Sequence, residues 1–245
     1  MPLSSDAVMA LFYDIDGDPS EHDDWHTYEH MHERLSIPGF IRASRWLAES
    51  GSPRYLVIYE VADTRIATSP AYLERLNNPS EWTRAMMTRF RGMVRGFCTV
   101  QGSAGFGMGR HAVAIRFMPE EDRATELKEW LSREILPVAA SRRGMAGVHL
   151  LCPDRPPPMT DEQAIRGPDQ PMSWLLLVTG YDADSVRRAV DVHLSPASLA
   201  AQGAAPDMEV GSYLLHYTAT ALEVSRSCPH PVLSPRMRLS DGERR

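Results

Sequence analysis

The sequence predicts an α+β fold built from two tandem βαββαβ units whose sheets pack on each other. Three observations carry that prediction. First, strand-like and helix-like segments follow one another as β-α-β-β-α-β, and the order occurs twice. Second, the halves correspond residue by residue. Trp25-x3-Glu29, with Gly39 ten residues on, recurs as Trp130-x3-Glu134 with Gly144 ten on. Ser69-Pro70-Ala71-Tyr72-Leu73 recurs as Ser195-Pro196-Ala197-Ser198-Leu199. Third, 245 residues at 43% hydrophobic and 24% charged supply a real core. No apolar run approaches the roughly 18 residues that would span a bilayer.

The first unit opens on the β-rich run Ala7–Tyr13, closed by the turn Asp16-Gly17-Asp18-Pro19. Ser20 is placed to cap a helix, with Asp23 as an acid near its start. That helix reaches about Ser36, where Pro38-Gly39 stops it. Strands follow over Phe40–Leu47 and Tyr55–Val61, then helices near Ser69–Leu76 and Glu81–Arg91, then a strand over Gly96–Gln101. The second unit reads as strands His111–Phe117, Gly147–Leu151, Trp174–Thr179 and Val210–Thr218. Its helices fall at Arg123–Ala140 and within Ser185–Gln202. The units therefore span 6–104 and 111–222, joined by a glycine-rich linker over 105–110 and followed by a tail over 223–245. The proline-rich stretch Pro153–Pro171 is long enough for a functional loop.

Charge narrows the partners. With 26 basic and 32 acidic residues the net charge is −6, and no basic stripe is present, so nucleic acid is not expected. Cys98, Cys152 and Cys228 are odd in number and form no CxxC pair, which argues for neither a disulfide framework nor a zinc knuckle. The N-terminus lacks the basic and apolar regions of a signal peptide. A cytoplasmic protein without a membrane partner is the expectation.

A βαββαβ unit leaves one apolar sheet face uncovered, and pairing two such sheets covers both. At Trp25-His26-Thr27-Tyr28-Glu29-His30-Met31-His32-Glu33-Arg34-Leu35, followed by Gly39-Phe40, the chain resembles the dimeric α+β barrel superfamily of ferredoxin-like units. The form is the fused, two-repeat one, and the local likeness is to EthD-like and related members. The resemblance implies a small-molecule enzyme working beside a carbonyl without a cofactor, and also includes cofactor-free oxygenation. Haem-binding relatives of the fold need an axial histidine, for which His149 or His216 would be the candidate. A homodimer is a further possibility that the resemblance leaves open.

The first helix carries the candidate site. Helical spacing puts His22, His26, Glu29 and Glu33 on one face with His30 at its edge. Trp25, Tyr28, Met31 and Leu35 fall on the opposite apolar face, with His32 beside Trp25. A solvated amphipathic helix has the same pattern. In the catalytic reading His30 is the general acid or base. His26 and Glu33 are spaced to orient it, and Glu29 holds a neighbouring backbone or ligand group. Tyr13, His32, Arg42 and Trp46 are the expected substrate contacts, Arg42 for developing negative charge. His26-Thr27-Tyr28-Glu29-His30 also reads as H-x-x-E-H, which could hold zinc through His26 and His30. No distal carboxylate stands out as a third ligand, so no metal is expected. The second unit places Leu131 opposite His26 and Ile135 opposite His30, which confines the site to the first half. The expected reaction is acid–base chemistry of the isomerase or lyase type on a small metabolite.

Overall fold

In the computed structural model, which describes residues 3–226, strand β3 (Tyr55–Val61) is buried at every position. A strand does that only when both faces of its sheet are covered. The other strands are β1 (Ala7–Ile15), β2 (Phe40–Ala48), β4 (Phe90–Gly105) and β5 (His111–Phe117). They continue with β6 (Met145–Pro153), β7 (Gln170–Pro171), β8 (Trp174–Gly180) and β9 (Glu209–Thr220). Their lateral order is β1-β3-β2-β9-β5-β8-β6-β4, and β4 pairs back onto β1. The result is a closed barrel of eight antiparallel strands. β7 adds a short parallel pairing to β4 at Val94 and Arg95. Within each half the order is the same: β4-β1-β3-β2 in the first, β9-β5-β8-β6 in the second.

Alternation along the strands sorts side chains between two environments. Val8, Ala10 and Phe12 of β1 point into the barrel, where they meet Trp46, Leu56, Ile58, Ala112 and Leu177. Met9 and Tyr13 point outward, under the helices of the first half. A separate helix-covered core in the second half centres on Ile115, Leu127, Leu131, Val148 and Val178. Trp46 thus belongs to the barrel interior and is not a contact for a site beneath the first helix.

Helix α1 has three consecutive parts: Pro19–Trp25, a wider π turn over His26–His30, and Met31–Leu35. Asp18 caps it by accepting from the Ser20 amide, two residues before the expected cap Ser20, because Pro19 is well suited to the first helical position. Helices α2 (Pro70–Asn77) and α3 (Glu81–Met87) are capped by Ser69 and Ser80. α3 ends earlier than expected, since Phe90 and Arg91 already pair with β1. Helix α4 repeats the plan of α1, with Ala124–Trp130, a π turn over Leu131–Ile135, and Leu136–Ala140. The proline-rich stretch folds a short helix α5 (Asp161–Arg166), closed at its start by a Thr160–Gln163 capping box. Helices α6 (Ala183–His193), α7 (Pro196–Ala201) and α8 (Ala221–Arg226) complete the chain. Most of the tail over 223–245, with Cys228, lies outside the described residues. No helix among the described residues is long and apolar enough to cross a membrane.

Strand β4 runs into the glycine-rich segment, so Gly102 and Gly105 are paired with β6. Gly105 has φ +88°, and a Cβ there would overlap the Ala146 carbonyl. Gly107 has φ +75° but open space around it. Gly107→Ala is expected to cost about 1 kcal/mol, the left-handed penalty alone. Gly105→Ala should cost about 3 kcal/mol, because backbone must also move. Urea unfolding of both variants checks this, and equal losses would contradict the packing described.

Candidate active site beneath the first helix

An α-helix drifts by about 40° over each four-residue step. A π turn, bonded five residues back, offsets part of that drift. In α1 the Met31 amide reaches the His26 carbonyl in this way. The consequence is a continuous buried stripe of His22, His26, His30 and Arg34 along the side facing the sheet. The His22 and His26 rings stack at 5.4 Å, and those of His26 and His30 at 5.6 Å. Trp25 lies 4.4 Å from His30. The histidines therefore share the buried side with Trp25, Met31 and Leu35 instead of opposing them, while Tyr28 faces water. Ordinary helical spacing failed here because the turn is not ordinary.

The sheet meets this stripe with phenols and a guanidinium. Tyr13 Oη lies 3.2 Å from His22 Nε2, and Asp23 Oδ1 lies 3.1 Å from His22 Nδ1. Arg45 Nη1 donates to His26 Nδ1 at 3.2 Å, and Tyr59 Oη lies 3.3 Å from His26 Nε2. Arg45 also donates to the Asp23 carbonyl, Thr27 Oγ1 and His216 Nδ1. From the second half, Glu162 of α5 accepts from Arg34 Nη2 through both carboxylate oxygens at 2.6 Å. Asp169 takes Arg166 at 2.8 Å and Arg95 at 3.3 Å. Helix α5 thereby covers the gap between α1 and the sheet.

Beneath that cover is a cavity of about 30 Å³, lined among others by Tyr13, His26, His30, Arg34, Tyr59 and Arg166. Two polar atoms of its lining residues, His30 Nδ1 and Arg34 Nη1, are buried with no hydrogen-bond partner. Burial, with Arg34 and Arg166 nearby, holds His30 well below the ordinary imidazole pKa. Burial and Arg45 do the same to His26. Both rings are neutral at pH 7. Burial also raises the Tyr13 and Tyr59 phenols, which keep their protons.

Of the expected site residues, His30, His26 and Tyr13 meet at this cavity. Glu29 does not. It accepts from Ser80 Oγ at 2.5 Å, Thr83 Oγ1 at 3.1 Å and Trp25 Nε1 at 3.2 Å, pinning the start of α3 to α1. Glu33 lies 3.4 Å from Arg75 on the outer side and does not reach His30. His32 is partly buried outside the cavity lining. Arg42 and Trp46 share a strand parity that points them into the barrel. There Arg42 Nε donates to Glu60 at 2.6 Å, beside a second hollow of about 20 Å³. The opposite parity brings Arg45 to the helix. Sequence reasoning missed Arg34, although it continues the four-residue spacing His22, His26, His30. Glu162, Arg166 and Asp169 gave no local signal.

The residues do not fit zinc. Both His26 nitrogens are engaged, Arg34 and Arg45 place positive charge beside the pair, and no metal-holding group of three exists among the described residues. Nor do the two histidines fit an axial haem ligand. His149 bonds Ser103 Oγ at 2.9 Å and borders only the 20 Å³ hollow, and His216 Nδ1 accepts from Arg45. A larger hollow of about 690 Å³ lies on the second half along Arg142, Arg143, Tyr181 and Arg188. It is an open surface cleft, and the buried polar groups converge elsewhere.

No family model and no curated protein matches the chain. Solved structures do. A proposed monooxygenase from Fusobacterium nucleatum aligns over 89% of this chain and 96% of its own, at TM-score 0.57 and 12% identity. An anthrone oxidase-like protein aligns over 88% and 92%, at TM-score 0.56 and 13% identity. A proposed monooxygenase from Lactobacillus acidophilus aligns over 88% and 96%, at 0.57 and 9%. At these identities the likeness is one of fold alone.

The buried imidazoles set a pH dependence. Their folded pKa values lie below the unfolded one, so the unfolded chain binds more protons in acid. Stability is then fully present above about pH 6.5 and declines as pH falls below it. His149, lowered to about 4, extends that decline to about pH 4. Urea midpoints measured from pH 7.5 to 4.5 should fall steadily, and the His149→Phe variant should show a shallower fall. A flat profile would place these rings in water.

Proposed function

We propose that the cavity beneath α1 is the active site of a small-molecule enzyme that moves a proton at carbon beside a carbonyl, without a cofactor. The observation that carries this reading is the pair of unpartnered polar atoms, His30 Nδ1 and Arg34 Nη1, on residues lining one cavity. Buried polar atoms are seldom left unpaired, and a bound ligand would satisfy them. Neutral His30 takes the carbon-bound proton. The electron pair of the broken C–H bond moves onto the carbonyl oxygen, and Arg34 Nη1 donates to the enolate that forms. The new negative charge offsets the burial and cations that otherwise disfavour a protonated His30.

The two halves are read as copies of one unit in which only the first kept this chemistry. At the matching places of α4 stand Leu127 and Leu131, both buried, then Ile135 and Ala139. The cavity as folded has room for about one water. Substrate binding therefore requires the lining side chains to move apart and enlarge the cavity. Isomerisation, dehydration and cyclisation can all start from the enolate, and decarboxylation of a β-keto acid arrives at one, which Arg34 would stabilise in the same way. A second reading has the enolate react with dioxygen. It is favoured by the descriptions of the fold neighbours as proposed monooxygenases and as anthrone oxidase-like.

Anthrone, an aryl ketone with an acidic methylene, serves as probe. In D₂O the protein should accelerate loss of the methylene signal over buffer, and His30→Ala should cut that acceleration about 100-fold. Oxygen uptake in the same sample separates the oxygenating course from proton transfer alone. Equal exchange rates for the wild type and His30→Ala would remove His30 from the chemistry.

A further inference from the structure

We infer that Tyr13, backed by His22 and Asp23, is a second proton-transfer group of this cavity and its connection to solvent. The inference rests on reading the cavity as a proton-transfer site. Its ground is the direction of the hydrogen bonds. An ionised Asp23 can only accept, so His22 Nδ1 carries the hydrogen in the 3.1 Å bond between them. His22 Nε2 is then the acceptor, and the Tyr13 hydroxyl donates to it at 3.2 Å. The Tyr13 proton thus points away from the cavity, and the oxygen keeps a lone pair for a proton arriving from it.

Among the stripe histidines, only His22 has a carboxylate on a ring nitrogen. His26 Nδ1 faces Arg45 instead, and His30 Nδ1 faces no partner. His22 is surrounded by Tyr13, Tyr55 and Phe90 from the strands, and by Trp25, Asp23 and His26 from its own helix. Arg45 and Arg54 are the cations that act on it. Burial lowers its pKa while Asp23 opposes that shift. Burial raises the Asp23 carboxyl, but the His22 hydrogen bond and Arg45 outweigh it and keep Asp23 ionised. Asp23 is one-fifth exposed, and its second oxygen lies 3.9 Å from His216 Nδ1 at the surface.

The transfer balances without any further reactant. A proton lands on Tyr13 Oη as the original hydroxyl proton passes to His22 Nε2. The imidazolium so formed pairs with Asp23 and passes its Nδ1 proton to the Asp23 carboxylate, which releases it to water at its exposed edge. Run backwards, the same path delivers a proton to the substrate. Tyr13 touches the cavity and is catalytic in this scheme. His22 and Asp23 act through it and are positioning residues.

Two measurements on the full-length protein test the scheme. The first is anthrone exchange in D₂O for Tyr13→Phe, Asp23→Asn and Asp23→Glu. Tyr13→Phe should lower kcat for deuterium entry by about tenfold or more while KM moves less than about threefold. Asp23→Asn should do the same and move the acid limb of the pH profile about one unit lower, because His22 loses the charge that favours its proton. Asp23→Glu should restore most of the rate. An unchanged kcat in Tyr13→Phe overturns the proposal. The second measurement is the ¹⁵N spectrum of labelled histidines, which needs no substrate. A His22 protonated on Nδ1, whose acid titration drops in Asp23→Asn, supports the wiring, and one protonated on Nε2 overturns it. If the wild-type protein leaves anthrone untouched while the nitrogen spectra agree, the proton-abstraction reading fails and the wiring stands.

Discussion

Taking three imidazoles and a guanidinium out of water along one side of a helix is the constraint that organises the first half of this molecule. Each such group must either lose its charge or find a partner. The histidines take the first course, becoming neutral, and the ring nitrogens of His22 and His26 are then satisfied while His30 Nδ1 is not. Tyr13 and Tyr59 rise from the sheet to do this, with Arg45 from β2 and Asp23 from the helix itself. Arg34 cannot lose its proton, so it takes the second course. Its partner Glu162 comes from a distant stretch of chain, and both are almost fully buried. That pair helps seat the proline-rich stretch, together with the Arg95–Asp169 pair and the pairing of β7 with β4.

The barrel supplies the other half of the arrangement. Closing eight strands uses up both sheet edges and leaves an outer face in each half for helices to cover. In the second half α4 covers that face with Leu127, Leu131 and Leu136, and a close-packed apolar layer results. The same layer under α1 is interrupted by the stripe and its partners. Both helices carry a π turn at the matching place, although only one carries polar groups there. The widened turn is therefore a property of how this helix type seats on this sheet, and the polar stripe is what the first half adds to it. Leucine in place of histidine shows what packing alone asks of these positions.

The order of elements and the cluster of histidines in the first helix were legible because period and composition are local. Local too was the contrast between His26 or His30 and the apolar Leu131 or Ile135. The facing of those histidines was not legible. A π turn has no composition signature, and it moved Trp25, His26 and His30 to one side while leaving Tyr28 in water. Strand parity decided Arg42 against Arg45, and parity could not be assigned until the barrel fixed which face was inside. Arg42 and Trp46 went to the barrel interior, and Arg45 went to the site. Glu29 looked catalytic beside His30, yet its carboxylate is consumed by Ser80, Thr83 and Trp25, contacts set by how α3 meets α1. Glu162 depended on a contact across more than half the chain, and Asp169 on one 74 residues away, for which no local pattern exists.

Arg34 also shows how a buried ion pair favours a charge that does not yet exist. Both oxygens of Glu162 are held on Nη2, and Nη1 is left over. On the proposed reading the Arg34–Glu162 pair persists beside a neutral ketone in an enlarged cavity, its charges already balanced. Nη1 gains little from a neutral carbonyl and more from an enolate, since a hydrogen bond between charged partners is about twice as strong. The difference between those two states is what lowers a barrier. An arginine that had to leave its carboxylate in order to serve the substrate would lose on one side what it gained on the other. A guanidinium, with two separate amino nitrogens, can hold the cover and the reacting oxygen together, which a lysine at this position could not do with the same geometry.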